Sequence, residues 1–294
     1  MRFGYACLNL TLETKMRTCR LQTMRNEGMA KIKELTMHNL DLVQEMVNWN
    51  EANHITFFRL SSEIIPFATH PEMDWAWDKD KDVLQRLEGI KKIGKQGGMR
   101  FSMHPGQYTV LNSPKEQVVT NAVNDLLYHE RFLSLVGGTD IIIHTGGAYG
   151  DKEKAKATFA KSYKQLPDAV KMKIRLENDD KTFHTRDVLD IHEQCGVTVV
   201  FDIHHERCFH TKETELKKLF KHVCETWSMK PKLHISSGRS GEADPRHTDY
   251  IRREDYDLLV RVLDGTDADV MIEAKAKEKA LLSLRESIME GKEE

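Results

Sequence analysis

Residues Val197 to Arg207 read VTVVFDIHHER, an apolar run that ends in an acid and two adjacent histidines. Val197, Val199 and Phe201 alternate with Thr198, Val200 and Asp202, the pattern of a buried strand that delivers polar groups at its C-terminal end. A carboxylate and imidazoles left unpaired at the edge of an apolar core are strongly destabilising, and a divalent cation is the simplest group that would hold them. By the period of two, Asp202 and His204 share a strand face, while His205 opens the following loop. Taken alone the stretch has a plainer reading, two surface histidines after a core strand. The rest of the chain decides between them.

Upstream, strands are expected at Arg2–Cys7, Ile55–Leu60, Met99–Met103, Asp140–Ile143 and Lys173–Leu176. Between them lie helical patterns: one running to about Asn50 with Ile32, Leu35, Leu40, Val43 and Val47 at helical spacing, then Lys81–Gln96, Lys115–Val136, a segment from about Lys152 to Met172 that Pro167 interrupts, and Thr185–Gln194. Downstream come a helix from Lys212 to about Trp227, a strand at Pro231–Ile235, a helix at Glu254–Leu263, a strand at Asp269–Ile272 and a helix to Glu290. Eight strand and helix units with no linker or low-complexity segment predict an α/β chain folded as a single-domain (β/α)8 TIM barrel over residues 1–294. A doubly wound open sheet is the alternative. The count of eight, and the lack of a glycine-rich dinucleotide fingerprint after the first strand, favour the barrel.

Composition narrows the setting. With 39% hydrophobic and 31% charged residues the chain reads as an ordinary globular protein, and no run approaches the roughly eighteen apolar residues of a membrane span. The N-terminal MRFGYACLNL flows into a strand and is not expected to be a signal peptide. Five scattered cysteines without a C-x-x-C pair argue against a disulfide framework and suit a reducing cytoplasm. A net charge of −2 rules out a global attraction to nucleic acid, so any such attraction must be local. Lys15, Arg17, Arg20, Arg25 and Lys31 against Glu13 and Glu27 form the one local candidate, with a solvated helix face as the plainer reading.

In a barrel of this kind the active site lies at the C-terminal rim of the strands. Here those ends are metal ligands by type: His104, His144, Glu177, Asp202 with His205, His234 and Glu273 terminate the third to eighth strands, and the loop after the seventh adds Asp244 and His247. His70 sits between two prolines in the loop after the second strand. So many imidazoles and carboxylates exceed one tetrahedral site, and two or three ions sharing bridging carboxylates is the natural count. The mixture of nitrogen and oxygen donors suits manganese or zinc. Arg100 and Ser102 share a strand face with His104, Lys173 and Arg175 with Glu177, and Lys232 with His234, so basic groups are expected beneath the acidic rim. Clustered divalent ions chiefly hydrolyse phosphate esters, and no serine elbow, HExxH or Walker loop competes with that reading.

In that order, GYACLN, MHPGQY, IIIHTGG, RLENDD, FDIHH, KLHISS and IEAK resemble the ultraviolet damage endonuclease family, whose fold and metal site are similar to those of endonuclease IV. The resemblance implies a metal-dependent repair enzyme that nicks duplex DNA immediately 5′ to cyclobutane dimers, 6-4 photoproducts and abasic sites, leaving a 3′-hydroxyl. It implies manganese as the metal, with zinc or magnesium as alternatives, and damaged double-stranded DNA as the partner; a cytoplasmic, nucleoid-associated setting is expected, and a monomer would suit a rim that must accept duplex DNA. By position it implies that Glu177, Asp202, His234 and Glu273 surround a central ion, that His104 and His144 join Glu177 on a neighbour, and that His205 and His247 form a third site. Asp244 is added as a further ligand, and His70 as an extra ligand or a DNA contact. The resemblance assigns chemistry to Glu177, Glu273 and Lys232, the last able to carry a carboxylate adduct, and lesion reading to Gln107 with Tyr108 and to Tyr5 with Asn9. Alternatives to be weighed are an abasic-site-only endonuclease, a metal-dependent sugar isomerase on the same fold, and a DNA-binding barrel without activity.

Overall fold

Eight strands pair in chain order and close on themselves in the computed structural model, which describes residues 1–290. The chain runs β1 (Arg2–Ala6), α1 (Leu21–Ala52), β2 (Phe57–Leu60), α2 (Lys81–Gln96), β3 (Arg100–Met103), α3 (Glu116–Val136), β4 (Asp140–His144), α4 (Lys152–Lys164), α5 (Asp168–Lys171) and β5 (Ile174–Glu177). It continues through α6 (Thr185–Cys195), β6 (Thr198–Asp202), α7 (Ile203–Cys208), α8 (Glu213–Glu225), β7 (Lys232–Ile235), α9 (Arg253–Leu263), β8 (Asp269–Ile272) and α10 (Glu278–Glu290). All neighbours are parallel, and β1 meets β8 with Arg2 opposite Asp269 and Tyr5 opposite Ile272. This is the expected (β/α)8 barrel. The expected domain span to residue 294 extends beyond the described residues at 291–294.

Three local features refine these expectations. The interruption expected at Pro167 makes the segment from Lys152 to Met172 two helices, because Pro167 has no amide hydrogen to continue the ladder and stands at the N-cap of α5 with ψ 144°. The first helix begins at Leu21 and is broken at Gly28, whose φ of 70° and ψ of −167° are open to a residue without Cβ. Most consequential, the opening stretch does not carry its strand past Asp202: IHHERC turns into α7, with the Asp202 carboxylate accepting from the amide of His205 at 2.8 Å. His204 is therefore on a helix, not on the strand face of Asp202.

Alternation along the strands sorts residues into two layers. Phe3, Tyr5, Phe58, Phe101, Ile141, Ile143, Leu176, Val199, Phe201, Leu233 and Ile272 pack outward into the helices as one apolar core. Inside the barrel Ala6, Phe57 and Met271 make a small apolar cluster, and Gly4 is required there because a Cβ would lie 2.7 Å from the Phe57 ring. Beneath it the barrel floor is ionic. Asp140 accepts from Arg100 Nε at 2.8 Å and Arg175 Nε at 2.9 Å, and Asp269 accepts from Arg100 at 2.9 Å and Arg2 at 2.5 Å. Trp227 closes the floor beneath both Arg100 and Arg175, 5.3 and 5.1 Å from its ring. Lys173 is not part of this interior: it precedes β5 and reaches Glu130 on α3 at 3.4 Å.

Candidate metal centre

Register brings the rim residues together. His144 ends β4 directly opposite Glu177 at the end of β5, and Asp202 ends β6 opposite His234 on β7. Adjacent strands stand about 4.8 Å apart, so side chains at paired positions on the inward face reach a common point. Three groups result: His104, His144 and Glu177; Glu177, His234 and Glu273; and Glu177, Asp202 and His205, the ligand atoms of each lying within 4.8 Å of one another. Glu177 belongs to all three.

The separations are those of groups gathered around shared charge. His234 Nδ1 stands 2.6 Å from Glu177 Oε1 and 3.2 Å from Glu273 Oε1. Glu177 Oε2 faces His104 Nε2 at 3.3 Å and His144 Nε2 at 3.6 Å. His205 Nδ1 is 3.7 Å from Asp202 Oδ2 and 3.0 Å from the Asn178 carbonyl. Glu177, Asp202 and His234 are essentially without solvent exposure, and Glu177 Oε2 and Asp202 Oδ2 have no hydrogen-bond partner among the described residues. Buried carboxylate oxygens left open beside imidazole nitrogens fit a divalent cation, which satisfies both at once. These clusters could hold metal ions.

Electrostatics agree with that. Burial alone would raise the Glu177 carboxyl, but the surrounding imidazoles, His234 and His144 foremost, hold it well below the usual carboxylate range. Glu273 is likewise depressed against its burial, chiefly by the Arg59 guanidinium. Burial would lower the His205 imidazole, yet Asp202, Glu177 and Glu273 outweigh it and raise it to about 9. The His205 imidazole thus sits in an anionic pocket suited to a cation.

Three expected ligands stand apart from these groups. His70 lies on the loop after β2, its Nδ1 accepting from the Glu72 amide at 3.2 Å and its ring edge against Phe67. Asp244 turns its carboxylate into its own loop, where it accepts from the Ser240 amide at 3.0 Å and pairs with Arg246 at 2.8 Å. Only its carbonyl faces the site, 2.9 Å from His204 Nε2. His247 joins none of the three groups but lies close by, its ring 6.3 Å from that of His205 and 5.8 Å from that of His204.

A family model described as UV-endonuclease UvdE matches residues 1–293. The chain belongs to this UV-endonuclease family. A UV DNA damage endonuclease of Bacillus velezensis is 37% identical over 275 residues, covering 90% of this chain and 84% of its own length. The crystal structure of SacUVDE superposes with a TM-score of 0.90 at 32% identity, over 99% of this chain and 98% of that one. Endonuclease IV from Thermus thermophilus, at 14% identity, a TM-score of 0.62 and 97% coverage of both chains, shares the fold. As a UV endonuclease the chain is an enzyme that acts on DNA, and no helix among its described residues is long and apolar enough to cross a membrane.

The residues expected to read DNA in this endonuclease divide into two kinds. Gln107 and Tyr108 lie on the loop between β3 and α3, at the mouth of a cleft of about 780 Å³ that also touches His104 and His144, and Tyr108 is 82% exposed. Tyr5 is the opposite, fully buried against Phe58 on the outer side of β1. Its hydroxyl donates to Asn50 Oδ1 at 2.7 Å and accepts from Asn9 Nδ2 at 3.0 Å. Asn9 is buried as well, its Oδ1 accepting from the amides of Thr11 and Leu12 at 2.9 and 3.1 Å. The pair shapes the first rim loop from beneath and does not reach the surface. In strand register Tyr5 has the parity of Phe3, and both pack toward the helices.

One residue in contact with this cluster escaped the sequence reading. Arg59 of β2 is buried in the barrel, donates to Glu273 Oε1 at 2.6 Å and stands 3.0 Å from His234 Nε2. A lone arginine in the apolar strand FFRL, at the parity of an inward residue, was the available signal. Below it Lys232, fully buried, donates to Ser102 Oγ at 3.0 Å and lies 5.1 Å from the Phe57 ring. Burial, with the Arg59 charge adding to it, pushes its amine well below the usual lysine range.

Proposed function

We propose that this endonuclease cuts duplex DNA immediately 5′ to ultraviolet photoproducts and abasic sites, with divalent metal ions, manganese foremost, held at the barrel mouth. The observation that carries the reading is the convergence of His104, His144, Asp202, His205, His234 and Glu273 on the one carboxylate of Glu177, beside an exposed Gln107–Tyr108 loop. Cations held there supply Lewis acidity toward phosphate oxygens and ease deprotonation of an attacking water. The chain's own residues do the rest. Glu177 and Glu273 orient the imidazoles, and Arg59 fixes Glu273 while offsetting part of the acidic charge. His247, adjacent to His205, completes the outer donor set. Lys232, held toward its free-amine form, is the residue suited to carry a carboxylate adduct.

Tyr108 and Gln107 are placed to wedge into the stack, and a crosslinked or missing base is easier to extrude than a paired one. Lys15, Arg17 and Arg20 are exposed on the first rim loop and suit phosphate contacts, whereas Arg25 is engaged with Glu72 and Lys31 with Glu34. The test is incision of a 5′-labelled duplex carrying one cyclobutane dimer, with manganese and with chelator, beside abasic and undamaged duplexes. A metal-dependent nick immediately 5′ to the dimer supports the reading. Cutting of the abasic duplex alone would narrow it to an abasic-site enzyme, and no cutting with any divalent metal would overturn it.

A further inference from the structure

One face of α3 carries a hydrogen-bonded set that the metal centre does not use. Asp125 and His129 are four residues apart and so point the same way toward the rim loops. The Asp125 carboxylate is the joint of the set. Its Oδ2 accepts from Thr109 Oγ1 at 2.5 Å, and its Oδ1 stands 3.5 Å from His129 Nδ1. His129 Nδ1 donates to the Asp125 carbonyl at 2.7 Å, which leaves Nε2 as an acceptor facing Ser62 Oγ at 2.9 Å. Ser62 Oγ also lies 2.8 Å from the carbonyl of His104, so its single hydrogen serves one acceptor at a time, the His129 nitrogen or that carbonyl, and the Tyr128 hydroxyl donates to the Ser62 carbonyl at 3.2 Å. His129 is 1% exposed and burial pushes its imidazole down, in keeping with a neutral ring that donates from one nitrogen and accepts at the other.

The two ends of this set are what give it meaning. One end is Thr109, buried and next in sequence to the exposed Tyr108; the other is the backbone of His104, whose side chain faces Glu177. Between them the loop is held by little else: the Thr109 amide donates to Gly106 and the Val110 amide to Tyr108, each at 3.0 Å, and both bonds are internal to the loop. An aromatic side chain that is to unstack bases must transmit force to a rigid base, or the loop itself will yield. Among the described residues, the only long-range side-chain hydrogen bond from residues 107–109 is the one Thr109 makes to α3.

We propose that α3 is the brace of the lesion-reading loop: Asp125 positions Gln107 and Tyr108 through Thr109, while His129 and Ser62 position the backbone of His104, so that the wedge and the metal ligand keep a set spacing. All four are positioning residues. The inference rests on the reading of Gln107 and Tyr108 as lesion contacts given above.

The experiment mixes manganese-loaded protein with a duplex carrying one cyclobutane dimer beside a 2-aminopurine, following the fluorescence rise of unstacking and the incision that succeeds it. Asp125→Ala is expected to reduce the rise and to raise KM by about tenfold, equivalent to about 1.4 kcal/mol. Its kcat should change little, and Asp125→Asn, which keeps an acceptor for Thr109, should restore KM. Thr109→Val, nearly isosteric, should reproduce Asp125→Ala and carries the test if the latter folds poorly. Ser62→Ala acts at the other end and should lower kcat with KM near that of the parent. A merely structural role would lower the melting temperature without this split or the asparagine rescue. If Gln107→Ala with Tyr108→Ala loses the fluorescence rise while Asp125→Ala and Thr109→Val keep both the rise and the parent KM, the brace is wrong. If the loop variant itself keeps the rise, the lesion-reading assignment fails and the brace falls with it.

Discussion

Replacing Asp140 by asparagine removes the one anion that the barrel floor shares between two buried guanidinium groups. Asp140 is fully buried and takes Arg100 Nε at 2.8 Å and Arg175 Nε at 2.9 Å. The two arginines are not equally exposed to its loss. Arg100 keeps Asp269 at 2.9 Å, whereas Arg175 keeps only the carbonyls of Met172 and Ile174, also at 2.9 Å. Breaking a buried pair from one side costs about 3–5 kcal/mol because the remaining charge is left uncompensated. That is a large part of a typical folding free energy of about 5–15 kcal/mol. With a urea slope of roughly 3 kcal/mol/M, the unfolding midpoint should fall by about 1 M or more.

Adding Arg175→Met removes the stranded cation, so Asp140→Asn/Arg175→Met should be more stable than Asp140→Asn alone. pH supplies an independent check. Burial would raise the Asp140 carboxyl, but Arg100, Lys232 and Arg175 hold it below the usual carboxylate range. Its folded value is thus lower than its unfolded one, near about 3.9. The contribution is complete above the unfolded value and is lost as pH falls through the folded one. Parent and Asp140→Asn should therefore differ fully at neutral pH and converge only in strong acid. Equilibrium urea unfolding measures both effects. A midpoint unchanged by Asp140→Asn, or a double variant less stable than the single, would refute the argument that the floor is a charge-compensated network.

Other outcomes follow from the site. Manganese at about one hundred times its dissociation constant should stabilise the fold by about 2.7 kcal/mol, a gain that chelator removes in a thermal melt. Glu177→Gln should abolish most of that gain, since all three ligand groups include Glu177. Gln107→Ala with Tyr108→Ala should leave the melting temperature within about a degree of the parent, because both side chains are exposed, while incision assays on damaged and undamaged duplexes lose discrimination. Tyr5→Phe should do the reverse. Losing the bonds to Asn50 and Asn9 should lower stability by about 1 kcal/mol in urea titration, with discrimination kept.

The barrel was legible because its signals are local and repeated. Strand patterns such as VTVVFD and DVMI, each followed by a helical period, need only short-range alternation to be recognised, and eight of them limit the topology to few choices. His104, His144, Glu177, Asp202, His234 and Glu273 could be picked out for a related reason: in a parallel barrel all strands point the same way, so a residue's place at a strand end is also its place at the rim. Where the chain leaves a strand that logic ends. His70, Asp244 and His247 sit on loops, and whether a loop side chain turns inward depends on bonds such as those of Asp244 to Ser240 and Arg246, which no periodicity encodes.

By itself the sequence determined the order of elements, which residues end the strands at the rim and, through seven ordered motifs, the family. Tertiary structure alone decided which of these residues meet. It placed Tyr5 behind β1 and Tyr108 in front of the rim, brought Arg59 from β2 across to Glu273 from β8, and turned His204 onto α7 while leaving His205 at the cluster. The physical reason is that the sheet's closure and the exit angle of each loop set distances between residues far apart in the chain. Residue type and spacing constrain only those close together in it.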